Sequence, residues 1–264
     1  MERNEHRRRW AVRISRASEL LEQHTAVVPA LRLYRATLEF QQNLALQSNQ
    51  IFDPQVPLRE QIDLSEVSAA IPAILSLGLA RGTETLKRAA QDVRQSGESA
   101  WRCILNAALT GNSSLTATED FFVRACLQPV AENLQLQLSR DANYYGSACP
   151  ACGGLPQVAV LRPEGEGSSR WLQCSFCWCE WPFRRLVCAW CGEEDKEKLP
   201  RYSNEEWPYV HVEACDTCKH YLKAIDMSID GFAVPIVDEA ALAVLDVWAN
   251  DCGYTKITRN LLGF

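Results

Sequence analysis

The sequence predicts an α+β chain of several domains: an all-helical N-terminal part, two small β modules built around cysteine pairs, and a C-terminal helix. Three observations predict it. Residues 1–148 carry apolar residues at helical spacing. Residues 149–218 repeat one order twice: cysteine turn, β-prone run, loop, β-prone run, cysteine turn. The segment VDEAALAVLDVWAND then returns to a helical pattern. The corresponding boundaries are 1–146 for the helical domain, 147–186 and 187–226 for the two modules, and 227–264 for a closing strand, helix and tail.

The helical part is read as follows. Residues 10–24 form a first amphipathic helix. Pro29 opens a second at its first turn, because proline lacks an N–H that the first turn leaves unpaired anyway. The loop SNQIFDPQVPLRE (48–60) follows. Further helical stretches are expected at 64–78, 82–95, 98–109 and 117–139. Pro72 and Pro129 are expected to kink or split two of them. Thr83 or Thr118 is a candidate helix cap, and Gly78, Gly82 and Gly111 are candidate breaks. Cys103 and Cys126 fall among apolar helical residues and are expected in the core.

The modules begin with CPACGG (149–154), then LPQVAVLR, a Gly/Ser loop, RWLQ and CSFC (174–177). The second runs from CAWCGE (188–193) through a charged loop to YVHVEA and CDTC (215–218). FAVPIVD reads as a strand, and Gly253 as the C-cap of the last helix.

Length and composition bound the function. At 264 residues the chain can build a core without disulfides. No apolar run reaches the roughly 18–20 residues of a membrane span, and 68–80 is expected to be a core helix. The arginine run near the start is followed by more charges rather than an apolar stretch, so export is not expected and the cytoplasm is. Residues 1–148 carry 16 basic and 16 acidic residues, whereas residues 149–264 carry 11 and 17, a net of −6. Thiolates around a divalent metal would deepen that charge. Nucleic acid wants a basic stripe, so a zinc-ribbon nucleic-acid binder is disfavoured.

Ten of the twelve cysteines lie after residue 148, and eight form CxxC pairs: Cys149/Cys152, Cys174/Cys177, Cys188/Cys191 and Cys215/Cys218. Two thiolates three residues apart grip one ion when the turn between them folds into a knuckle, and two facing knuckles complete a tetrahedron. Gly153 and Gly192 follow two of the pairs, where a positive φ eases the turn. The glycine-bearing knuckle leads each module, so 149/152 is paired with 174/177 and 188/191 with 215/218. An interleaved pairing, 149/152 with 188/191 and 174/177 with 215/218, remains chemically open. A disulfide framework is disfavoured without secretion. No HExxH, GxSxG, GxGxxG or P-loop pattern is present, and no catalytic residue is assigned. His211 and His220 read as solvated surface residues. Trp178, Trp181 and Trp190 either cover the sulfurs or serve as docking residues. Cys179 makes CWC with Cys177 and is a spare thiol, while Cys252 is an end-of-helix residue. Four thiolates suit zinc or iron equally.

CPACGGLPQVAVL, RWLQCSFCWCEWPFRRLVCAWCG, EACDTCKHYLK and VDEAALAVLDVWANDCGY together resemble the formate dehydrogenase accessory protein FdhE family. Glu180 and Trp181 hold its EW position, Arg184 and Arg185 its basic pair, and Glu213, Tyr221, Leu222 and Lys223 flank its last CxxC. The resemblance implies two rubredoxin-like (zinc-ribbon-type) modules holding two iron ions, each bound by four thiolates as in rubredoxin, with zinc the alternative. It implies a cytoplasmic, non-enzymatic assembly factor that binds the catalytic subunit of respiratory formate dehydrogenase before export. The competing reading is a rubredoxin-like electron-transfer protein in which two tetrathiolate iron centres cycle.

Overall fold

The computed structural model describes residues 2–23, 28–110, 115–138, 143–165 and 167–264. The chain divides into two compact units, Met1–Leu138 with Leu261–Gly263, and Ser139–Asn260 with Phe264.

The first unit holds α1 (Glu2–Gln23), α2 (Val28–Gln47), α3 (Leu64–Arg81), α4 (Glu84–Thr110) and α5 (Ala117–Gln135). Its centre is α5, buried at every residue from Phe121 to Gln135 and packed against α2, α3 and α4. A helix buried all round must satisfy its polar side chains internally. Arg13 donates to both carboxylate oxygens of Glu132, at 2.8 and 2.5 Å. Asn133 Nδ2 donates to the Ala45 carbonyl at 2.7 Å.

Neither proline splits its helix: Pro72 lies inside α3 and Pro129 inside α5. Pro129 offers no N–H to the Ala125 carbonyl one turn back. Gln41 Nε2 takes that carbonyl instead, at 3.1 Å. Gly82 does end α3, with its N–H on the Gly78 carbonyl. Gly78 is no break. A Cβ there would stand 2.8 Å from the Phe122 ring, so this glycine lets α5 approach α3. The break inside α4 is Gly97, with φ 78°, between the two stretches expected there. Gly111 lies outside the described residues. Thr83 caps α4, its Oγ1 accepting from Leu86 N at 3.3 Å. Thr116, not Thr118, caps α5, because the Glu119 side chain closes a capping box with Thr116. Cys126 is buried as expected, but Cys103 is exposed, on the solvent side of α4. By length and composition alone α3 is long and apolar enough to cross a membrane, a test that a core helix also passes. Its Val67, Ile71, Ile74 and Leu75 are buried.

The second unit is one seven-stranded sheet, ordered β3-β2-β1-β6-β5-β4 with β7 also on β6. The strands are β1 (Pro156–Glu164), β2 (Gly167–Cys174), β3 (Glu180–Pro182), β4 (Arg201–Ser203), β5 (Val210–Ala214), β6 (His220–Asp226) and β7 (Thr255–Lys256). β1 and β2 form an antiparallel hairpin, as do β5 and β6. The two halves join where β1 and β6 run parallel, from Val158 beside Lys223 to Leu161 beside Asp226.

FAVPIVD is not a strand. Pro235 is the first residue of α6 (Pro235–Ala241), where its fixed φ suits a helix start. The Asp238 carboxylate accepts from Val234 N at 2.7 Å and from Tyr209 OH at 2.9 Å, which anchors that start. The closing helix is two, because Leu242 (φ −99°, ψ 47°) separates α6 from α7 (Ala243–Asp251). Cys252 is the C-cap of α7, and Gly253 follows it at φ 84°. Four buried charges, Lys223, Glu239, Asp246 and Lys256, tie β6, α6, α7 and β7 together. Lys223 Nζ lies 2.6 Å from Asp246, Lys256 Nζ lies 3.0 Å from Asp246, and Lys256 also contacts Glu239.

Candidate metal centres

All four CxxC turns share one backbone design. The residue after the second cysteine has a positive φ: Gly153 at 71°, Trp178 at 54°, Gly192 at 78° and Lys219 at 56°. The N–H of each first cysteine donates to the carbonyl five residues on. Cys149 meets Gly154 at 2.7 Å, and Cys174, Cys188 and Cys215 meet Cys179, Glu193 and His220 at 2.9 Å. The turn curls both sulfurs to one side. Two are glycines, as the sequence suggests. Trp178 and Lys219 adopt the same conformation against their steric preference, and no glycine signals them.

The sulfurs gather into two sets, Cys149, Cys152, Cys174 and Cys177, and Cys188, Cys191, Cys215 and Cys218, each within 4.8 Å of one another. Cys149 and Cys177 sulfurs are 3.5 Å apart, and Cys152 and Cys174 are 3.4 Å apart. In the second set Cys188–Cys218 and Cys191–Cys215 are both 3.7 Å. A tetrahedron with metal–sulfur bonds of about 2.3 Å has edges of about 3.8 Å, so both sets fit a tetrathiolate ion. The grouping is sequential, leading knuckle with following knuckle.

The electrostatics agree with that chemistry. Hydrogen bonding among crowded thiols, with Cys152 first, pushes the Cys149 thiol far up. Burial does the same to Cys177. Cys191 is lowered: burial opposes ionisation there, but the Glu193 backbone N–H and the neighbouring thiols favour its thiolate. Four thiolates so close need a cation, and binding one would release the protons they hold. Backbone N–H groups already point at sulfur, among them Phe176 to Cys174 at 3.3 Å and Trp190 to Cys188 at 3.4 Å.

The other singled-out residues divide. Cys179 lies against Cys149 but outside the set of four. Its carbonyl closes the second knuckle and its thiol donates to the Glu180 carbonyl at 3.7 Å. Trp178 and Trp181 are buried, and Trp181 Nε1 donates to the Gly146 carbonyl at 2.8 Å. Trp190 is exposed and stacks on His220, with centroids 4.5 Å apart. Glu180 pairs with Arg162 at 2.6 Å and Glu213 with Arg170 at 2.8 Å. His211 is not a surface residue. It is buried on β5 opposite Ser203 of β4, with Nδ1 2.9 Å from Ser203 Oγ and Nε2 3.7 Å from the Asp226 carboxylate. His220 is half-buried and bonds the Cys218 carbonyl at 2.8 Å. The buried Lys223–Glu239–Asp246–Lys256 group escaped the sequence reading, since its members are brought together only by the fold.

The family model "FdhE, central domain" matches residues 148–185, and "FdhE, C-terminal domain" matches 186–262. The crystal structure of the FdhE protein from Pseudomonas aeruginosa superposes with a TM-score of 0.77 and 26% identity, covering 97% of this chain and 96% of that one. Residues 148–262 are thus similar to the FdhE central and C-terminal domains, and the fold is similar to that of FdhE over nearly the whole chain. An FdhE homolog from Aquifex aeolicus is 32% identical over 149 residues, 54% of this chain and 52% of that protein. An FdhE homolog from Pseudomonas aeruginosa is 30% identical over 210 residues, 75% of this chain and 65% of that protein. The alignments thus span about half to two thirds of these curated FdhE relatives. The α+β organisation expected from the sequence is the FdhE one: helices first, a sheet region with two four-cysteine clusters, then closing helices.

Proposed function

We propose that this chain is a cytoplasmic accessory factor of the FdhE kind in the maturation of formate dehydrogenase, binding the enzyme's catalytic subunit before export. In this reading Cys149, Cys152, Cys174 and Cys177 hold one metal ion and Cys188, Cys191, Cys215 and Cys218 a second. The chain itself catalyses no reaction. The observation that supports the proposal is the match of residues 148–262 to the FdhE central and C-terminal domains, with the eight sulfurs gathered in two sets of four, each within 4.8 Å of one another. Iron is the proposed ion, with zinc as the chemical alternative. The ions would fix the knuckles of a unit whose loops have little core of their own.

Two measurements test this. A tagged chain should capture a formate dehydrogenase catalytic subunit, and a deletion strain should lose formate dehydrogenase activity. No capture together with full activity would reject the role. Cys149→Ser with Cys152→Ser should lower the metal content by one ion per chain, and unchanged content would reject the ligand set.

The exposed Cys191 gives a second reading some support, because a solvent-facing sulfur is a route for electrons into a tetrathiolate iron. Under that reading the anaerobically purified protein is coloured and its visible spectrum changes on oxidation. A colourless protein with two zinc ions would remove it.

A further inference from the structure

The two cysteine sets share one backbone design yet sit in different surroundings. In the first set Cys149, Cys174 and Cys177 are buried and Cys152 is half-buried. Its second knuckle is buried throughout, from Ser175 and Phe176 to Trp178 and Cys179. In the second set Cys191 is exposed and Cys218 half-buried. Both of its knuckles face solvent: Trp190 and Gly192 are exposed in one, Asp216 and Thr217 reach the surface in the other. Where the first set has the buried Phe176 and Trp178, the second has Thr217 and Lys219 at the same knuckle positions. A cleft lined by Leu186, Val187, Cys188, Leu199, Cys215 and His220 also reaches this set.

We infer that the two centres do unequal work: the Cys188–Cys191–Cys215–Cys218 centre is an exchange site that gives up its ion to a competing ligand, and the Cys149–Cys152–Cys174–Cys177 centre is a closed structural one. The inference rests on the proposal that both sets hold metal. The exchange is a ligand substitution. With an ion bound, Cys191 and then Cys218 would be the sulfurs a competitor's donor atoms replace first, and the buried Cys188 and Cys215 would be replaced last as the ion leaves with the competitor, each freed thiolate taking a proton from water. At the first centre only Cys152 is reachable, so a competitor waits on local opening of the buried knuckle. The Trp190–His220 stack spans the two exposed knuckles of the second centre and is the part of it a partner or small thiol meets first.

The test uses the full chain with its native ions. Metal per chain is measured first by elemental analysis. The protein is then challenged with excess EDTA, and at intervals newly freed thiols are alkylated with iodoacetamide and located by mass spectrometry. The exposed Cys103 and Cys252 react from the start and serve as internal standards. One ion should leave about tenfold faster than the other or more, as expected when only the slower one requires local opening. Alkylation of Cys191 and Cys218 should rise with that fast phase, while Cys149, Cys174 and Cys177 stay protected. Cys191→Ser should hold one ion and show only the slow phase, whereas Cys152→Ser should keep the fast one. Release of both ions at one rate, or earlier alkylation of the first set, would overturn the inference. Fewer than two ions in the untreated protein would overturn the two-metal reading, and this inference with it.

Discussion

Lys223 Nζ and Glu239 Oε1 stand 3.0 Å apart, and neither side chain reaches solvent. Burial works against the charged form of Glu239, but the Lys223 and Lys256 cations outweigh it and hold the carboxyl well below its usual range. Burial likewise opposes the charge on Lys223, and Glu239 with Asp246 raises its pKa overall. A buried group of this kind is costly to break from one side, because the remaining charges stay desolvated. Lys223→Met should therefore destabilise the second unit by about 3–5 kcal/mol. Urea unfolding followed by tryptophan fluorescence reads this directly. A loss within the error of an ordinary surface substitution would show that the group does not fasten α6 and α7 to the sheet.

The knuckle after each CxxC pair sets up a contrast among four equivalent positions. A Cβ at Gly153 or Gly192 meets nothing within 4 Å, so only the backbone opposes a side chain there. Gly153→Ala and Gly192→Ala should each cost about 1–2 kcal/mol through the left-handed conformation. Lys219→Gly, at φ 56°, should move thermal stability the opposite way, less the Lys219–Asp216 pair it removes. Equal melting temperatures for the two alanine variants and the parent would contradict the positive-φ role.

Two threonines two residues apart predict different outcomes. Thr116 Oγ1 accepts from Glu119 N at 3.3 Å, while the Thr116 N–H donates to Glu119 Oε2 at 2.9 Å. Thr116→Ala should lower the stability of the helical unit by about 1 kcal/mol, the usual worth of an N-cap. Thr118→Ala should change it by much less. Chemical denaturation monitored by circular dichroism separates the two, and a larger effect at Thr118 would refute the cap assignment.

His211 gives the stability a pH dependence. Burial first, and then the Arg201 cation, hold its pKa below the ordinary 6.5, against the pull of Asp226 and Glu213. The unfolded chain takes up a proton more readily than the folded one. Stability is therefore fully present above about pH 6.5 and is lost as the pH falls below it. Between about pH 7.5 and about pH 5.5 the urea midpoint should fall in the parent and fall less in His211→Gln. Identical pH slopes for the two proteins would dismiss His211 as the cause.

What was legible in the sequence follows from how local its physical cause is. Chelation demands the CxxC spacing, so the four pairs could be read directly, as could the leading glycines Gly153 and Gly192. Helical periodicity located α1 to α5. Glycine and proline misled where tertiary packing decides their use. Gly78 looks like a break but makes room for Phe122, and Pro129 looks like a split but is rescued by Gln41 from another helix. Pro235 sits in a β-branched run that reads as a strand, yet Asp238 anchors a helix start there. The parallel join of β1 to β6 and the meeting of Lys256 with Asp246 beside Lys223 rest on residues brought together from separate elements. No short window of sequence contains them.

The β1–β6 join also bears on how this protein can be dissected. The two FdhE domain models part between residues 185 and 186, but the sheet continues through that point. Cutting the polypeptide there would leave the Val158–Leu161 edge in one fragment and the Lys223–Asp226 edge in the other. Each fragment alone would expose an unpaired backbone row that invites aggregation. Mixed together they have a ready-made seam on which to reassociate, so the chain lends itself to split-protein reconstitution more than to excision of either half.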